Sequence, residues 1–291
     1  MPSSVILLVL VSAFMHASWN LMSRFGGSQR DFNHKMLLTL FVALFLPAAV
    51  LEYRSPIMTP LAWWCVLGSG VSASVYMFFL ARAYESSDFT IVYPVARALP
   101  VVFVALADVL RGRLLTPAGW VGVWMVAVGV IFVPLRSFKD FKLENYFNLA
   151  SLWMVLTAAG TVGYTLLDKI AAEVIRSGAD TAARYGAFYF AVSYFPYLLL
   201  LTFFHKKGEV LAPASWRLAI PAALLSFAAY WLILWAYQLS PYAGYIVAFR
   251  QFSIVIGAVA AFRIFKEGGV AVRLTGATLI STGLVLIAAL G

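Results

Sequence analysis

Apolar runs long enough to cross a membrane follow one another along the whole chain. A helix needs roughly 17 to 25 mainly apolar residues to cross the hydrocarbon core of a bilayer. Only 11% of the residues are charged, against about 25% in a soluble domain. The sequence therefore predicts an all-α polytopic membrane protein, because helices satisfy their own backbone groups in lipid. We place ten transmembrane helices near residues 3–23, 35–52, 61–83, 89–110, 117–135, 149–169, 183–204, 216–237, 243–264 and 271–290.

The charge and cysteine content exclude several classes of protein. The net charge is +9, but the basic residues fall mostly in short loops, where they contact anionic headgroups, so no nucleic-acid partner is expected. Cys65 is the single cysteine, which excludes an internal disulfide, and no Cys/His spacing typical of a metal site occurs. We therefore expect no metal and no cofactor. The sequence also lacks a Walker A pattern, which argues against ATP as the energy source.

The two halves of the chain resemble each other on either side of a polar central segment. That segment, residues 136–148, is interpreted as a linker between a first five-helix repeat at 1–135 and a second at 149–291. Several matches in the same order indicate an internal duplication. At a constant offset of 153, the matched pairs are Ala83 with Ala236, Tyr84 with Tyr237, Ser87 with Ser240, and Arg97 with Arg250.

Five spans in each half predict that the second half is inverted relative to the first. Two inverted repeats are related by a pseudo-two-fold axis in the membrane plane, and both chain ends then lie on one side. This architecture is characteristic of secondary transporters, whose substrate site lies near mid-membrane at the repeat interface. A cytoplasmic N-terminus would leave most of the loop lysines and arginines outside, against the positive-inside rule, so the orientation stays open.

Four short segments carry a resemblance to a known family. They are HASWN (His16 to Asn20), YPVARALP (Tyr93 to Pro100), AFRQFSI (Ala248 to Ile254) and LTG (Leu274 to Gly276). On these segments the chain resembles the drug/metabolite transporter (DMT) superfamily, in particular its EamA-type ten-span members. Members often carry Gly-Glu just after the fourth and ninth spans. Here the ninth span is followed by Glu267, but Arg113 stands in the acid's place after the fourth.

The resemblance implies a transporter and not an enzyme. Members of the family move small metabolites or toxic cations, and most bacterial members are exporters or exchangers in the inner (plasma) membrane. The expected partners are a small-molecule substrate and the lipid bilayer, with a proton as a candidate coupling ion and a homodimer as a candidate assembly. Small residues in the last span of each half are expected to allow close helix packing. They are Gly119, Gly122, Gly129, Gly276 and Gly283.

Arg97 and Arg250 are the first candidate site residues, because each is a charge inside an apolar span. A charge at mid-membrane costs about 2.5 to 3.5 kcal/mol on insertion scales, so it usually faces a cavity or a partner. One interpretation is that both bind an anionic substrate group, since arginine binds carboxylate or phosphate in a bidentate manner. The other is structural. In that case each arginine binds carbonyls freed by Pro94 and Pro100 or pairs with an acid: Glu85, Asp88 or Asp108.

A polar face in the first span forms a second candidate group. His16, Trp19 and Asn20 share a face at helical spacing, and Arg24 extends it. These side chains either line a pocket, with Trp19 stacking on the substrate and Asn20 binding it, or pack against a neighbouring helix. His16 can also exchange a proton during transport.

Aromatic side chains within the spans form the third candidate group. An aromatic box suits an amine or an aromatic substrate, whereas aromatics that make up 16% of the chain also serve packing and the membrane interface. The pocket-lining candidates are Tyr93, Tyr164, Trp235 and Tyr245.

The distribution of acids guides the choice of substrate. No acid lies clearly at the centre of a span, because Asp108 and Asp168 lie near predicted span ends. We therefore predict a secondary transporter, an exporter or exchanger, of a small polar metabolite such as an amino acid or another carboxylate-bearing compound. The alternative substrate is a choline-like or drug-like organic cation held by an aromatic cage. An intramembrane enzyme using His16 with Asp168 or Glu173 is disfavoured, because no nucleophile or metal set accompanies them.

Overall fold

The computed structural model describes most of the chain, including the whole of eight of the ten predicted spans. The described residues are 3–110, 116–133, 135, 137, 139, 147–205, 208–239, 246, 250, 253–254, 256, 260, 263–264 and 269–290. The linker predicted at 136–148, the ninth span predicted at 243–264 and Tyr245 lie mostly or wholly outside these residues. The residues that are described between 246 and 264 are helical.

Long helices make up the described part of the chain, and no strand occurs in it. The helices with continuous bounds are α1 (Ser3–Ser23), α2 (Gln29–Arg54), α3 (Pro60–Ser86), α4 (Phe89–Leu110), α5 (Pro117–Phe132), α6 (Leu149–Val174), α7 (Ala179–Phe203), α8 (Trp216–Leu239) and α9 (Val270–Leu290). Six of them, α1 to α3 and α6 to α8, are long and apolar enough to cross a membrane. The prediction of an all-helical chain is confirmed for this part, whereas the number of ten helices and their inverted arrangement stay predictions.

Side-chain caps explain where several helices begin. Ser28 accepts a hydrogen bond from the backbone N–H of Asp31 at the start of α2, and Asn148 caps α6 in the same way. Thr59 and Thr116 cap α3 and α5, and each is followed by a proline at the first helical position. Each cap satisfies a backbone donor that the first helical turn leaves unpaired.

The fourth helix corrects one expectation about its prolines. The sequence predicts an irregular span around Pro94 and Pro100, yet both prolines lie inside a helix that runs without interruption from Phe89 to Leu110. Each proline still removes one backbone donor and leaves the carbonyl four residues earlier without its helical partner. The chain tolerates this in α4 because the surrounding residues are buried in protein.

The core lies between the two halves of the chain. The most extensive packing is between α3 and α6, between α5 and α9, between α1 and α8, between α3 and α7, and between α2 and α7. Each of these pairs joins a helix before residue 136 to a helix after residue 148. The first half therefore packs mainly against the second, and the interface between them is the interior of the protein.

Glycines bring α5 and α9 into backbone contact, and close packing at these glycines is what the sequence predicts. A Cβ atom on Gly129 would lie 2.6 Å from the carbonyl oxygen of Gly276. A Cβ atom on Gly283 would lie 2.5 Å from the carbonyl oxygen of Gly122. Since no side chain fits into such a gap, only glycine allows this approach. The order of the contacts also shows that the two helices run in opposite directions.

A buried arginine holds each end of the α2–α7 pair, and we call these two contact sets the Arg30 clasp and the Arg184 clasp. In the Arg30 clasp, Nε donates to Glu85 Oε2 at 2.9 Å and Nη2 donates to Glu209 Oε1 at 2.5 Å. In the Arg184 clasp, Nη1 donates to Glu52 Oε2 at 3.2 Å and to the carbonyl oxygen of Ser55 at 2.5 Å. Arg30 and Arg184 each lie near the start of their helix, so the clasps lie at opposite ends of an antiparallel pair.

Candidate functional site

Arg97 lies in the interior with only 5% of its surface exposed, and it contacts both halves of the chain. Its Nη1 atom lies 3.2 Å from His16 Nε2. Its Nη2 atom donates to the carbonyl oxygen of Arg250 at 3.3 Å and to Ser253 Oγ at 3.2 Å. Arg97 therefore does bind a backbone carbonyl, but one that belongs to the segment around Arg250 and not to its own proline-containing helix.

Arg250 is equally buried but has very different surroundings. Its guanidinium carbon lies 5.9 Å from the ring centroid of Tyr230, which is a cation–π distance. Its Nε atom is buried without a hydrogen-bond partner. Among the described residues, no acid lies within salt-bridge distance of either Arg97 or Arg250. Among the described residues, Arg250 is thus a buried cation whose Nε group has no partner.

The acids that the sequence offered as partners of Arg97 have other partners. Glu85 binds Arg30, and Asp88 accepts a hydrogen bond from Arg273 at 2.9 Å. The side chain of Asp108 lies outside the described residues. Pairing of Arg97 with Glu85 or Asp88 is therefore wrong for this structure, because each of these carboxylates already has its own arginine.

The predicted first-span group comes together next to Arg97. Trp19 Nε1 lies 3.3 Å from His16 Nδ1, and the two rings meet edge to face with their centroids 5.2 Å apart. Trp19 and Arg97 are both obligate donors, and a neutral imidazole accepts at only one nitrogen, so only one of the two contacts of His16 is a hydrogen bond. Asn20 is fully buried and receives a hydrogen bond from Tyr84 Oη at 3.0 Å. Asn20 therefore lies behind the group and supports it.

A cluster of tyrosines forms the other wall of the site, beside Arg250. Tyr164 meets the ring of Tyr76 edge to face at 5.7 Å and that of Tyr230 at 5.9 Å. Tyr189 stacks on Tyr230 with a centroid distance of 4.3 Å. These four rings come from α3, α6, α7 and α8, so four helices fix the aromatic wall on which Arg250 lies.

Asp168 is a buried acid beneath this wall that the sequence reasoning undervalued. It was expected near a span end, but α6 continues to Val174, and the side chain of Asp168 is fully buried. Its Oδ1 atom accepts hydrogen bonds from Ser69 Oγ at 2.5 Å and Tyr185 Oη at 2.8 Å, and its Oδ2 atom accepts one from Tyr230 Oη. The spacing of Tyr164 and Asp168 was the available signal, because residues four apart share a helix face.

The remaining predicted site residues are distributed unevenly. Tyr93 is buried beside His16, with ring centroids 6.4 Å apart. Trp235 is only partly buried and packs against the hydrophobic core. Tyr245 lies outside the described residues. The structure therefore groups five candidates with Arg97 and Arg250, and they are His16, Trp19, Asn20, Tyr93 and Tyr164.

A separate apolar groove lies on the outer surface of the protein. It has a volume of about 900 Å³ and runs between α2, α3 and α7, with Phe41, Trp63 and Phe195 among its lining residues. Almost all of its lining is apolar, and it contains neither arginine of the central site. Such a surface suits lipid chains, so we do not assign the substrate to this groove.

Comparisons with known proteins agree with the helical architecture. The model of the EamA-like transporter family matches residues 3–135. No curated protein matches the sequence. One solved structure, described only as "Crystal structure of protein", has a TM-score of 0.63 and 16% sequence identity, with 98% of this chain and 96% of that chain covered. At this identity the likeness shows a shared fold alone, but it extends through both halves of the chain.

The family match confirms the resemblance that the sequence motifs indicated for the first half. His16 to Asn20 and Tyr93 to Pro100 lie within the matched residues, whereas the two motifs of the second half lie beyond them. Members of the family are membrane transporters and not enzymes. Over residues 3–135, this integral membrane protein is therefore similar to the EamA-like transporter family of the DMT superfamily.

Proposed function

We propose that the protein is a secondary transporter of a small metabolite that carries a carboxylate or a similar anionic group. The observation that carries the proposal is the pair of buried arginines, which lie together and have no acidic partner among the described residues. A buried cation without a counter-ion is costly. A bound anion removes that cost, and the guanidinium group of Arg250 offers donors suited to a planar carboxylate.

The two arginines have different roles in binding the anion. Arg97 is held by Ser253 and by the carbonyl of Arg250 and lies against His16, so it supplies a fixed positive charge. Arg250 rests on Tyr230 and makes the direct bidentate contact with the anion. Trp19, Tyr93 and Tyr164 line the remainder of the cavity. Trp235 and Tyr245 complete it in the open states.

Burial of the site supports transport by alternating access. Arg97, Arg250, His16 and Trp19 are each at most 5% exposed, so a ligand reaches them only when helices separate. The Arg30 and Arg184 clasps close the two ends of the α2–α7 pair, and each must open in turn. The packing partners support inverted repeats, because α1 with α8 and α3 with α6 are the pairs that a pseudo-two-fold axis would exchange.

Orientation and coupling follow from the same site. The Arg30 clasp lies at the end of the protein where Arg24, Lys35 and Arg82 are also found, and the positive-inside rule assigns that end to the cytoplasm.

His16 contacts Arg97 directly, so a proton on His16 requires Arg97 to move, and this links proton exchange to anion binding. Export or exchange in the inner membrane of a bacterium fits this arrangement. A homodimer would use a surface other than the glycines of α5 and α9, which contact each other within the chain.

An organic cation is the second candidate substrate. The cluster of Tyr76, Tyr164, Tyr189 and Tyr230 favours it, as does the buried carboxylate of Asp168. Three hydroxyl groups already bind that carboxylate, however, and Arg250 occupies the ring face of Tyr230. The anion is therefore the better match to the groups that lack partners.

Thermal stabilisation of the purified protein tests the substrate class. The library contains amino acids, organic acids, sugar phosphates and quaternary amines, because a ligand that binds the folded state raises its apparent stability. We expect carboxylates to stabilise the wild type, and neither Arg97→Ala nor Arg250→Ala to respond to them. Stabilisation by amines alone, with equal responses in both variants, would refute the anion site and favour the cation.

A matched control separates the central arginines from other buried arginines. Arg273 is equally buried, but it pairs with Asp88 away from the site. Arg273→Ala should therefore keep the ligand response of the wild type, even where the variant melts at a lower temperature. Transport of the stabilising compound is then measured in proteoliposomes, where an outward or inward gradient of the compound and of protons is imposed separately.

A further inference from the structure

Asp168 is the one buried acid near the two arginines in the described part of the chain. The other buried arginines there each have a carboxylate: Arg30 has Glu85 and Glu209, and Arg184 has Glu52. Arg273 has Asp88. Within the described residues, Asp168 has no direct arginine partner and is surrounded by hydroxyl groups.

The three hydroxyl groups around Asp168 can all donate to it when the carboxyl group is ionised. Ser69, Tyr185 and Tyr230 all donate to it, and they come from α3, α7 and α8. An ionised carboxylate is an acceptor only and has room for all three donors. Three hydroxyl groups stabilise the negative charge without neutralising it, so its field extends to the neighbouring groups.

Tyr230 connects this acid to Arg250. The hydroxyl end of Tyr230 binds Asp168, while the face of the same ring carries the guanidinium group of Arg250. Stacking on Tyr189 keeps the ring in place. The side chain of Tyr230 therefore lies between Asp168 and Arg250. Both residues are buried, and buried charges interact more strongly than charges in water.

These charges give the site a defined balance. Arg97 and Arg250 contribute two positive charges and Asp168 contributes one negative charge, so two minus one leaves one positive charge among the described buried groups. We propose that Asp168 is a specificity-determining residue, which sets the site to bind compounds with one net negative charge and to reject dianions. This inference rests on the proposed function, because it concerns the anion site that the two arginines form.

The physical reason is the cost of leaving charge uncompensated in a buried site. A monoanion neutralises the single excess positive charge, whereas a dianion leaves one excess negative charge facing Asp168. Without the charge of Asp168 the excess is two positive charges, and the preference moves to dianions. The proposal thus narrows the substrate class from carboxylates in general to compounds such as monocarboxylates and acidic amino acids.

A matched set of probes tests the charge rule. Aliphatic dicarboxylates from oxalate to glutarate carry two negative charges, their monoamides carry one, and their diamides carry none, at almost constant shape. Calorimetry on the purified protein in detergent gives the dissociation constant of each probe. In the wild type we expect monoamides to bind on the order of tenfold more tightly than dicarboxylates of the same length. In Asp168→Asn, we expect the ratio to reverse.

Two further variants distinguish charge from packing. Asp168→Glu keeps the charge and should keep the ratio of the wild type. Tyr185→Phe removes one hydrogen bond to Asp168 but no charge, so it also should keep the ratio, even if the variant is less stable. If Asp168→Asn fails to fold, the wild type alone still tests the charge rule. Equal or tighter binding of dicarboxylates than of monoamides by the wild type overturns the proposal.

The outcomes separate this proposal from the proposed function. If anions bind the wild type and Arg250→Ala abolishes their binding, but Asp168→Asn leaves the ratio unchanged, the charge rule is overturned and the anion site stands. If no probe binds the wild type but quaternary amines do, both the anion site and the charge rule are overturned.

Discussion

The two clasps at the ends of the α2–α7 pair occupy equivalent places but differ in strength. The Arg30 guanidinium group binds two carboxylates, Glu85 and Glu209, through three of its nitrogens. In the described part of the chain, the Arg184 guanidinium group donates through Nη1 alone, and its Nε atom is buried without a partner. By helix rise, Arg30 and Glu52 lie about 33 Å apart along α2, so the clasps are at opposite ends of the fold.

The surroundings increase the difference between the clasps. Near Arg30, Asp31 accepts a hydrogen bond from the backbone of Ala214 at 2.6 Å, and Lys35 donates to the carbonyl of the same residue at 2.8 Å. Near Arg184, the second carboxylate oxygen of Glu52 accepts hydrogen bonds from the backbone N–H groups of Ile57 and Met58, in the loop that follows α2. The end with the Arg30 clasp is thus tied between the halves at several points, and the other end at few. A transporter that opens its ends in turn would open the Arg184 end more easily.

Loss of Arg30 should have the largest effect on stability. Arg30→Ala leaves two carboxylates without their cation, and we expect the free energy of unfolding in mixed micelles to fall by about 3 kcal/mol. That is the lower end of the range for a broken buried pair, because Glu85 and Glu209 keep some exposure. Arg176→Ala is the control, since the pair that Arg176 forms with Asp180 is exposed and is worth less than about 1 kcal/mol. Equal losses of unfolding free energy in Arg30→Ala and Arg176→Ala would show that the Arg30 clasp does not stabilise the fold.

Loss of Arg184 should have a smaller effect than loss of Arg30. Arg184→Ala removes one charged hydrogen bond and two to backbone carbonyls, while Glu52 keeps its backbone donors. We expect a loss of about 2 kcal/mol in the same unfolding measurement. A loss larger than that of Arg30→Ala would reverse the comparison.

The third and smallest effect concerns the rate at which each end opens. In a Cys65→Ala background, single cysteines at Met58 and Ala214 report on the Arg184 end and the Arg30 end, and both positions are at most 9% exposed. In detergent, we expect a polar maleimide to label the cysteine at Met58 several times faster than that at Ala214, because local opening limits access to buried groups. Glu209→Gln should narrow the difference by weakening the Arg30 clasp. Faster labelling at Ala214 in the parent would show that the Arg30 end opens first.

Helix positions were predictable from the sequence because hydropathy and caps act locally. The bounds predicted for the first, third, fourth and eighth spans lie within three residues of α1, α3, α4 and α8. The start of α2 was placed six residues late, at 35 instead of 29, because the polar stretch around Arg30 resembles a loop. Its charges are neutralised by Glu85 and Glu209, and these partners are distant in sequence.

The candidate site was predictable only in part, for a similar reason. Arg97 and Arg250 stand out as charges in apolar spans, and matched positions in a duplicated chain indicated that they lie near one axis. The role of Asp168 depends on hydroxyl groups from three other helices, which no local pattern reveals. The difference between the two clasps was also not predictable from the sequence. Arg184 follows Arg30 by 154 positions, close to the offset between the matched pairs of the two halves, but their partners cannot be read from that spacing.

The glycine contact between α5 and α9 has a consequence for the origin of the chain. Gly122 meets Gly283 and Gly129 meets Gly276, while Gly276 and Gly283 each follow their counterparts Gly122 and Gly129 by 154 positions. If each glycine is replaced by its counterpart in the other half, the same two contacts result. The contacts at the interface of a symmetric dimer have this property. On the predicted duplication, a single ancestral half carried both sides of this contact before fusion, and two copies inserted in opposite directions would have satisfied it.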